Sequence, residues 1–525
     1  MFLSKKQAQN LRRKFHARQL VIPFWALLLV GCISPSQPDR RSGYLVVALE
    51  SSPTHLDPRY VTDANSTRIA ALVFSSLTRM DENSRFRPDL AERWEAQDEL
   101  TYLFYLRKGV HFHNGRALSA ADVKFTYESV LEPKNRSPKR AWLQLLRAVD
   151  VLEPYVVRFR LSSPHAPFLE SSTLGILPAG SPVPRGLNGS ALVGSGPFSV
   201  EEFSPGEKVV LRANTHYWEG HSSLSGLVFK VIPDAIVRAL EFKKGNVDFV
   251  QNDIEPDMLS WLRRNTDASI QTFQGTIFQY LGINLEHPVL RFREVRQALA
   301  HAIHREAIIH HLLKGLATPA TGLLSPLHWA YEPSVQTWTY NPEEAKRLLD
   351  KAGFPDPDGD GPLPRFKLSY KTTTLDLRRR IAEAFQEQLR RVGVELDVRT
   401  YEWGTFYSDI KKGNFHLYSL AWVGVADPDL YFTLFHSSSI PPHGNNRGRY
   451  RNPEIDQLLE KGRKTLNSEE RKRIYSQAQK ILAWELPYIP LWWAKNVIVM
   501  NPAIRGFVPY PDGDLISLKN VSFSS

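Results

Sequence analysis

The sequence predicts an α/β fold built on mixed β-sheets, and three observations carry that prediction. Leu227–Ile232, Asp234–Lys243 and Val247–Val250 read as strand, helix and strand in succession, the order that lays helices against a sheet. Further on, Leu377, Ile381, Phe385, Leu389 and Val392 share one helix face, and Val394, Leu396 and Val398 alternate directly after it as a strand. The chain has 525 residues, 42% of them apolar and 23% charged, enough for two or three domains with their own cores.

The first 31 residues hold six positive charges (Lys5, Lys6, Arg12, Arg13, Lys14 and Arg18) and no acidic ones, which leaves about +5 of the net +11 for the remainder. That excess is too mild to argue for nucleic acid. The basic stretch leads into an apolar run, Leu20–Val30, too short for a membrane span and suited to the core of a signal peptide. Leu29-Val30-Gly31-Cys32 resembles a bacterial lipobox. The resemblance implies that residues 1–31 are removed and that Cys32, the single cysteine, carries a lipid anchor; cleavage elsewhere beside an incidental cysteine is the alternative. Residues 32–43, with two prolines, read as a tether. With Cys32 so used, no cysteine is left for a disulfide, a thiol nucleophile or a thiolate metal site.

Tyr44–Leu49 is the first expected strand, and Ile69, Leu72, Val73 and Leu77 mark a helix face within Asp63–Met80. Thr101–Leu106 (TYLFYL) suits a strand, His111–Gly115 a second short strand running into an Asn-Gly turn. Ser119 and Asp122 open a helix with Val123, Tyr127, Val130 and Leu131 on one face. Val149–Leu161 alternates as a hairpin partner, and Leu177–Gly189 is a loop rich in Pro and Gly. Gly194-Ser195-Gly196 is no phosphate loop, because strands rather than a helix with a Lys-Ser/Thr follow it. A long helix is expected from about Phe292 to Leu313, with Val295, Leu299 and Ile303 as its buried stripe. Asn341-Pro342-Glu343-Glu344 supplies a cap, a proline at the first helical position and an acidic first turn. Asn467 and Glu470 cap the last long helix, and two strands, around Ile489–Trp493 and Val497–Met500, follow it.

Several spaced features then agree. Pro88-Asp89-Leu90-Ala91, Trp94, the paired strand, Phe112-His113-Asn114-Gly115 and Ser119–Phe125 together resemble the family-5 extracellular solute-binding proteins, the peptide- and nickel-binding subunits of ABC importers. Leu56-Asp57-Pro58, Gly194–Phe198, Asn214–Gly220 and the stretch from Asn284 to Ile308 resemble other parts of the same family; His304 departs, standing where the family usually has Asp. The resemblance runs from Tyr44 to about Val508. It implies a bilobed periplasmic-binding-protein-like fold of type II, in its large three-domain variant. Residues 44–57, 193–276 and 491–525 would form lobe I, residues 58–192 an appended domain II, and residues 277–490 lobe II.

The implied function is a receptor that closes two lobes over a peptide or peptide-like solute and docks on an ABC permease, without catalysis or cofactor. It would be a monomer, held outside the cytoplasm by its lipid on the periplasmic side or the cell surface. Phe415–Phe432 (FHLYSLAWVGVADPDLYF) is the best candidate for the ligand loop. In it Trp422 matches the family's aromatic, Gly424 permits close approach of the main chain, and Val425 stands where peptide binders often carry the Asp that holds the ligand's α-amino group. An ammonium buried against valine lacks a counter-ion. Asp427 is a substitute carboxylate, or else a structural part of the Asp-Pro turn. Ser51 and Ser52 follow the first strand at the family's ligand border. Phe278, at the start of the second lobe, is a further ligand-binding candidate, and Lys371 lies near the position where dipeptide binders hold a carboxylate.

Three classes stay open: a transport receptor for peptides or for a non-peptide solute such as a metal chelate or sugar, a sensor or chaperone of the same fold without a permease, and a secreted hydrolase. No Gly-x-Ser-x-Gly or His-Glu-x-x-His motif occurs. The pairs His111/His113 and His301/His304 lack acidic or cysteine partners at motif spacing. Asp356–Gly361 imitates a calcium loop, but Lys367 occupies its twelfth position. No metal site is expected.

Overall fold

The computed structural model describes residues 42–82, 85–183, 192–252, 254–359 and 361–524. The signal segment, Cys32 and the tether up to residue 41 lie outside the described residues, as do residues 184–189 of the expected loop and Asp360 of the aspartate turn.

Among the described residues the largest sheet has eleven strands and is mixed. Its spine is a pair of long antiparallel strands, Ser269–Ile283 and Tyr488–Met500, paired from Ser269 opposite Met500 to Gly282 opposite Tyr488. The second is one strand of 13 residues where the sequence suggests two, because Ala494–Asn496 stay paired. The register breaks between Gln274 and Phe278, where a Cβ on Gly275 would lie 2.5 Å from the Ala494 carbonyl oxygen.

On one side of the spine lie Phe249–Gln251, Tyr44–Leu49 and Gly226–Val231, then two antiparallel strands, Lys208–Ala213 and Phe198–Ser204. On the other side lie Leu417–Trp422, Phe366–Thr373 and Val394–Tyr401, the last two parallel. Both spine strands feed two separate cores. Ile498 and Met500 join Val47, Leu227 and Phe249 in one. Leu281, Ile489 and Trp492 join Leu299, Tyr370 and Phe385 in the other.

A separate four-stranded antiparallel sheet spans residues 91–161 and packs on the helix Ala120–Leu131. The Asp122 carboxylate of that helix accepts the Ser119 amide at 2.8 Å, the reciprocal half of a capping box. Leu146–Glu153 and Val156–Leu161 form a hairpin with each other, so the alternating stretch supplies both partners. His111 makes only an isolated bridge with Ala117, since the Asn-Gly turn follows too closely for a strand. The first helix is Ala64–Val73; Leu77 lies beyond it, beside the short strand Thr78–Met80.

The helix expected over Phe292–Leu313 is broken. It runs Arg293–Ala302, then restarts at Arg305–His311. His304 caps the restart, its Nδ1 accepting the Ala307 amide at 3.2 Å. Buried Arg305 donates to the carbonyls of Ala320 at 2.9 Å and Pro490 at 3.1 Å, and also to that of Trp338. These long-range bonds fix the break, while the apolar stripe continues past it. Among the described residues no helix is long and apolar enough to cross a membrane.

Candidate functional site

The strand Leu417–Trp422 is pinned on both sides, by Ser269–Ile283 and by Phe366–Thr373, and its end delivers Trp422 to the rim of a cleft. The chain then turns through Val423–Ala426. Gly424 has φ +67°, a left-handed conformation that side chains disfavour, while a Cβ there would meet nothing within 4 Å. The glycine therefore answers a dihedral requirement rather than crowding.

The cleft has two chambers, one of about 550 Å³ and one of about 300 Å³, within the size of small-ligand pockets. Glu170, Gly424 and Ala426 border both. One wall of the larger chamber is Trp142, His165 and Glu170; the facing wall is Trp422–Asp427 with Asp429, Phe432 and Arg463. The two walls touch: the Ala166 amide donates to the Arg463 carbonyl at 2.7 Å.

Asp427 borders the larger chamber, but both its oxygens are engaged. Arg471 of the helix Ser468–Glu485 donates to them at 2.7 and 2.6 Å, the Asp429 amide adds a bond of 2.7 Å, and both side chains are 7% exposed. The fork-to-fork pair makes Asp427 a brace for the loop, with its charge matched by Arg471 rather than by a ligand cation. Asp429 sits 2.9 Å from Arg463 Nε; burial nonetheless lifts its carboxyl to about 6. The Arg463 guanidinium lies 3.9 Å over the Phe432 ring. His165 is pushed down to about 4 by burial and then by Arg463, so it is neutral at ordinary pH.

Trp422 stacks at 6.5 Å from Tyr280, and the Arg447 guanidinium lies 5.0 Å from its ring. Its indole Nε1 is buried without a hydrogen-bond partner among the described residues. Val425 is 6% exposed and packs into the apolar cluster beneath the loop while bordering the larger chamber.

Four expected site positions fall outside the cleft lining. Lys371 donates to Asp409 at 2.5 Å and is 8% exposed, so its charge is already committed. Phe278 is 2% exposed, wedged between Trp422 and Trp493 in the sheet, and borders a separate apolar pocket. Ser51 and Ser52 serve the turn after the first strand: Ser51 Oγ donates to Glu50 at 3.1 Å and Ser52 Oγ accepts the Gly206 amide at 3.0 Å. Conversely, Lys139, Trp142, His165, Glu170 and Arg463 went unpredicted. They lie on short turns or helix ends with no spacing pattern, and only the tertiary fold brings them together. Among the described residues no group of three or more His, Cys, Asp or Glu side chains is placed to hold a metal ion. In the aspartate turn, Asp358 accepts the Leu363 amide at 3.0 Å and Asp356 lies 3.7 Å from Arg365.

Two walls meeting over a charged and aromatic cleft, beside a spine of two long shared strands, are the architecture of a receptor that encloses a solute. The chain belongs to the bacterial extracellular solute-binding proteins, family 5; the model described as "family 5 Middle" matches residues 85–441. It is 30% identical over 500 residues to oligopeptide-binding protein AppA of Bacillus subtilis, covering 91% of each chain. The structure of that protein in complex with a nonapeptide superposes with a TM-score of 0.79 at 29% identity, over 92% of this chain and 99% of that one. Heme-binding protein A of Haemophilus influenzae is 30% identical over 507 residues, covering 89% of this chain and 90% of that one. NikZ of Campylobacter jejuni in complex with Ni(L-His) superposes with a TM-score of 0.79 at 29% identity, over 92% of this chain and all of the other.

Proposed function

We propose that this chain is the receptor subunit of an ABC importer that encloses short peptides in the cleft and hands them to a membrane permease. The observation that carries the reading is the cleft, whose walls come from distant parts of the chain and touch at Ala166 and Arg463. Its size suits a small ligand, and similarity over nearly the whole chain to a receptor crystallised with a nonapeptide supports the peptide class. In this reading lobe I comprises 44–57, 193–276 and 491–525, domain II 58–192, and lobe II 277–490. The lobes move about the register break in the two spine strands. The chain acts as a monomer, tethered by a lipid on Cys32. It performs no covalent chemistry: the ligand favours the closed form by its differential affinity.

A second reading, a non-peptide solute such as a chelated metal, is favoured by Val425 in place of a carboxylate and by the equal structural likeness to a receptor of Ni(L-His). Native mass spectrometry of the purified full chain separates the two. A mixture of short peptides released on denaturation supports the first. A single non-peptide adduct, with no peptide pool raising the melting temperature, replaces it with the second.

A further inference from the structure

Glu170 and Lys139, which carry opposite signs, face the smaller chamber with no ion partner among the described residues, and of the unpaired charged groups there Glu170 alone borders the larger chamber as well. Glu170 projects from the short helix Phe168–Ser171, which is anchored by Phe168 against Tyr102 at 4.8 Å and Phe159 at 5.4 Å. The nearby cations are committed elsewhere: Arg471 to Asp427 at 2.6 Å and Arg463 to Asp429 at 2.9 Å. Lys139 projects from the 3₁₀ turn Pro138–Leu143, with its ammonium 5.6 Å from the Trp142 ring centre. Its neighbouring carboxylate, Asp57, is held by Arg59 at 2.7 Å in a pair whose side chains are 1% and 2% exposed. Ser137 fastens that turn by donating to the Arg59 carbonyl at 2.7 Å. Of the other charged groups around the smaller chamber, Arg79 pairs with Glu219 at 2.6 Å and Asp89 accepts the Ser76 amide at 2.8 Å, while Asp514 and Asp512 accept the Ile516 and Asp514 amides at 2.7 and 3.0 Å and stand beside each other on the wall away from the larger chamber.

We infer that Glu170 and Lys139 are the two charge anchors of the cleft, Glu170 receiving the ammonium of a zwitterionic ligand and Lys139 its carboxylate. The inference rests on the peptide reading above and names how the ends of the peptide are held. An ionised group set in a closed cleft without a partner is unfavourable, and an opposite charge at hydrogen-bond distance removes that penalty. Burial is the leading cause of both groups' drift toward the neutral form: Glu170 is raised to about 8 and Lys139 lowered to about 8. A zwitterion restores both charges at once, whereas a ligand charged at one end leaves the other anchor unmatched. It also accounts for Val425. The ammonium is read from the domain II wall, so the Trp422–Asp427 loop needs no carboxylate of its own at that position, and the larger chamber is left for side chains.

The test is calorimetric titration of the purified full chain with one equimolar pool of di- to pentapeptides in three forms: free, N-acetylated and C-amidated. The expected result is that either cap weakens binding at least tenfold. Glu170→Gln should weaken the free pool to the level of the acetylated one and leave the acetylated pool unchanged. Lys139→Gln should do the same for the amidated pool. Melting curves of the ligand-free variants establish that they fold, and because each variant is read against its own capped control, a general loss of affinity is separated from loss of an anchor. Equal binding of free and capped pools, or variants that weaken all three alike, overturns the anchors while the peptide reading stands. No binding of any pool overturns both.

Discussion

Replacing Arg471 by methionine removes the cation that braces the Trp422–Asp427 loop and leaves the Asp427 carboxylate in place. Both side chains are 7% exposed, so water is a poor substitute, and two short hydrogen bonds, of 2.7 and 2.6 Å, are lost together. Breaking a buried ion pair from one side costs about 3–5 kcal/mol, because a charge stays buried and unpaired. Arg471 Nε also donates to the Gly462 carbonyl at 3.0 Å, a bond worth about 1 kcal/mol. The single variant is therefore expected near the upper end of that range. The double variant Asp427→Asn/Arg471→Met removes both charges and should recover much of the loss. Urea unfolding followed by tryptophan fluorescence measures all four members of the cycle. A loss under about 1 kcal/mol for Arg471→Met, below the range for a broken buried pair, refutes the brace. So does a double variant whose loss equals the sum of the singles.

Gly424→Ala forces a side chain into a left-handed conformation at about 1–2 kcal/mol and should weaken ligand binding severalfold by titration, since the loop relaxes away from φ +67°. His304→Ala removes the acceptor of the Ala307 amide and should cost about 1 kcal/mol in urea unfolding, while His304→Asp retains the cap. The Glu170 carboxyl is raised to about 8 from 4.5, first by burial and then by Asp427 and Asp429. Its contribution to stability is full below the unfolded value and lost as pH rises through about 8. Ligand-free Glu170→Gln should thus melt close to the parent at pH 5 and above it at pH 8.5; an equal gap at both pH values contradicts the assignment.

Regular elements were legible wherever periodicity and local caps agreed. Asn341 caps Pro342–Lys351 and Asn467 caps Ser468–Glu485, and the stripe through Ile381, Phe385 and Leu389 lies buried on Asp376–Arg390. The break at His304 was not legible, because the apolar stripe continues across it and the bonds that enforce it run from Arg305 to Ala320, Trp338 and Pro490. The cleft was half legible. The Trp422–Asp427 loop announces itself by an aromatic, a glycine and an Asp-Pro turn. Glu170 and Lys139 sit in unremarkable local sequence and gain meaning only from which neighbours are already paired. Lys371 shows the converse: a lysine at the end of a strand reads as a ligand contact until Asp409 is seen beside it.

The clasp between Ala166 and Arg463 joins one main-chain amide to one main-chain carbonyl. Such a fastening carries no chemical identity, so side-chain substitutions around it can re-tailor the cargo without rewriting the latch; only proline at residue 166, which lacks the amide hydrogen, would strip it directly. Mechanical closure and molecular discrimination are thereby assigned to different atoms of the same few residues. Arg463 shows the division, its backbone shutting the door while its guanidinium furnishes the room.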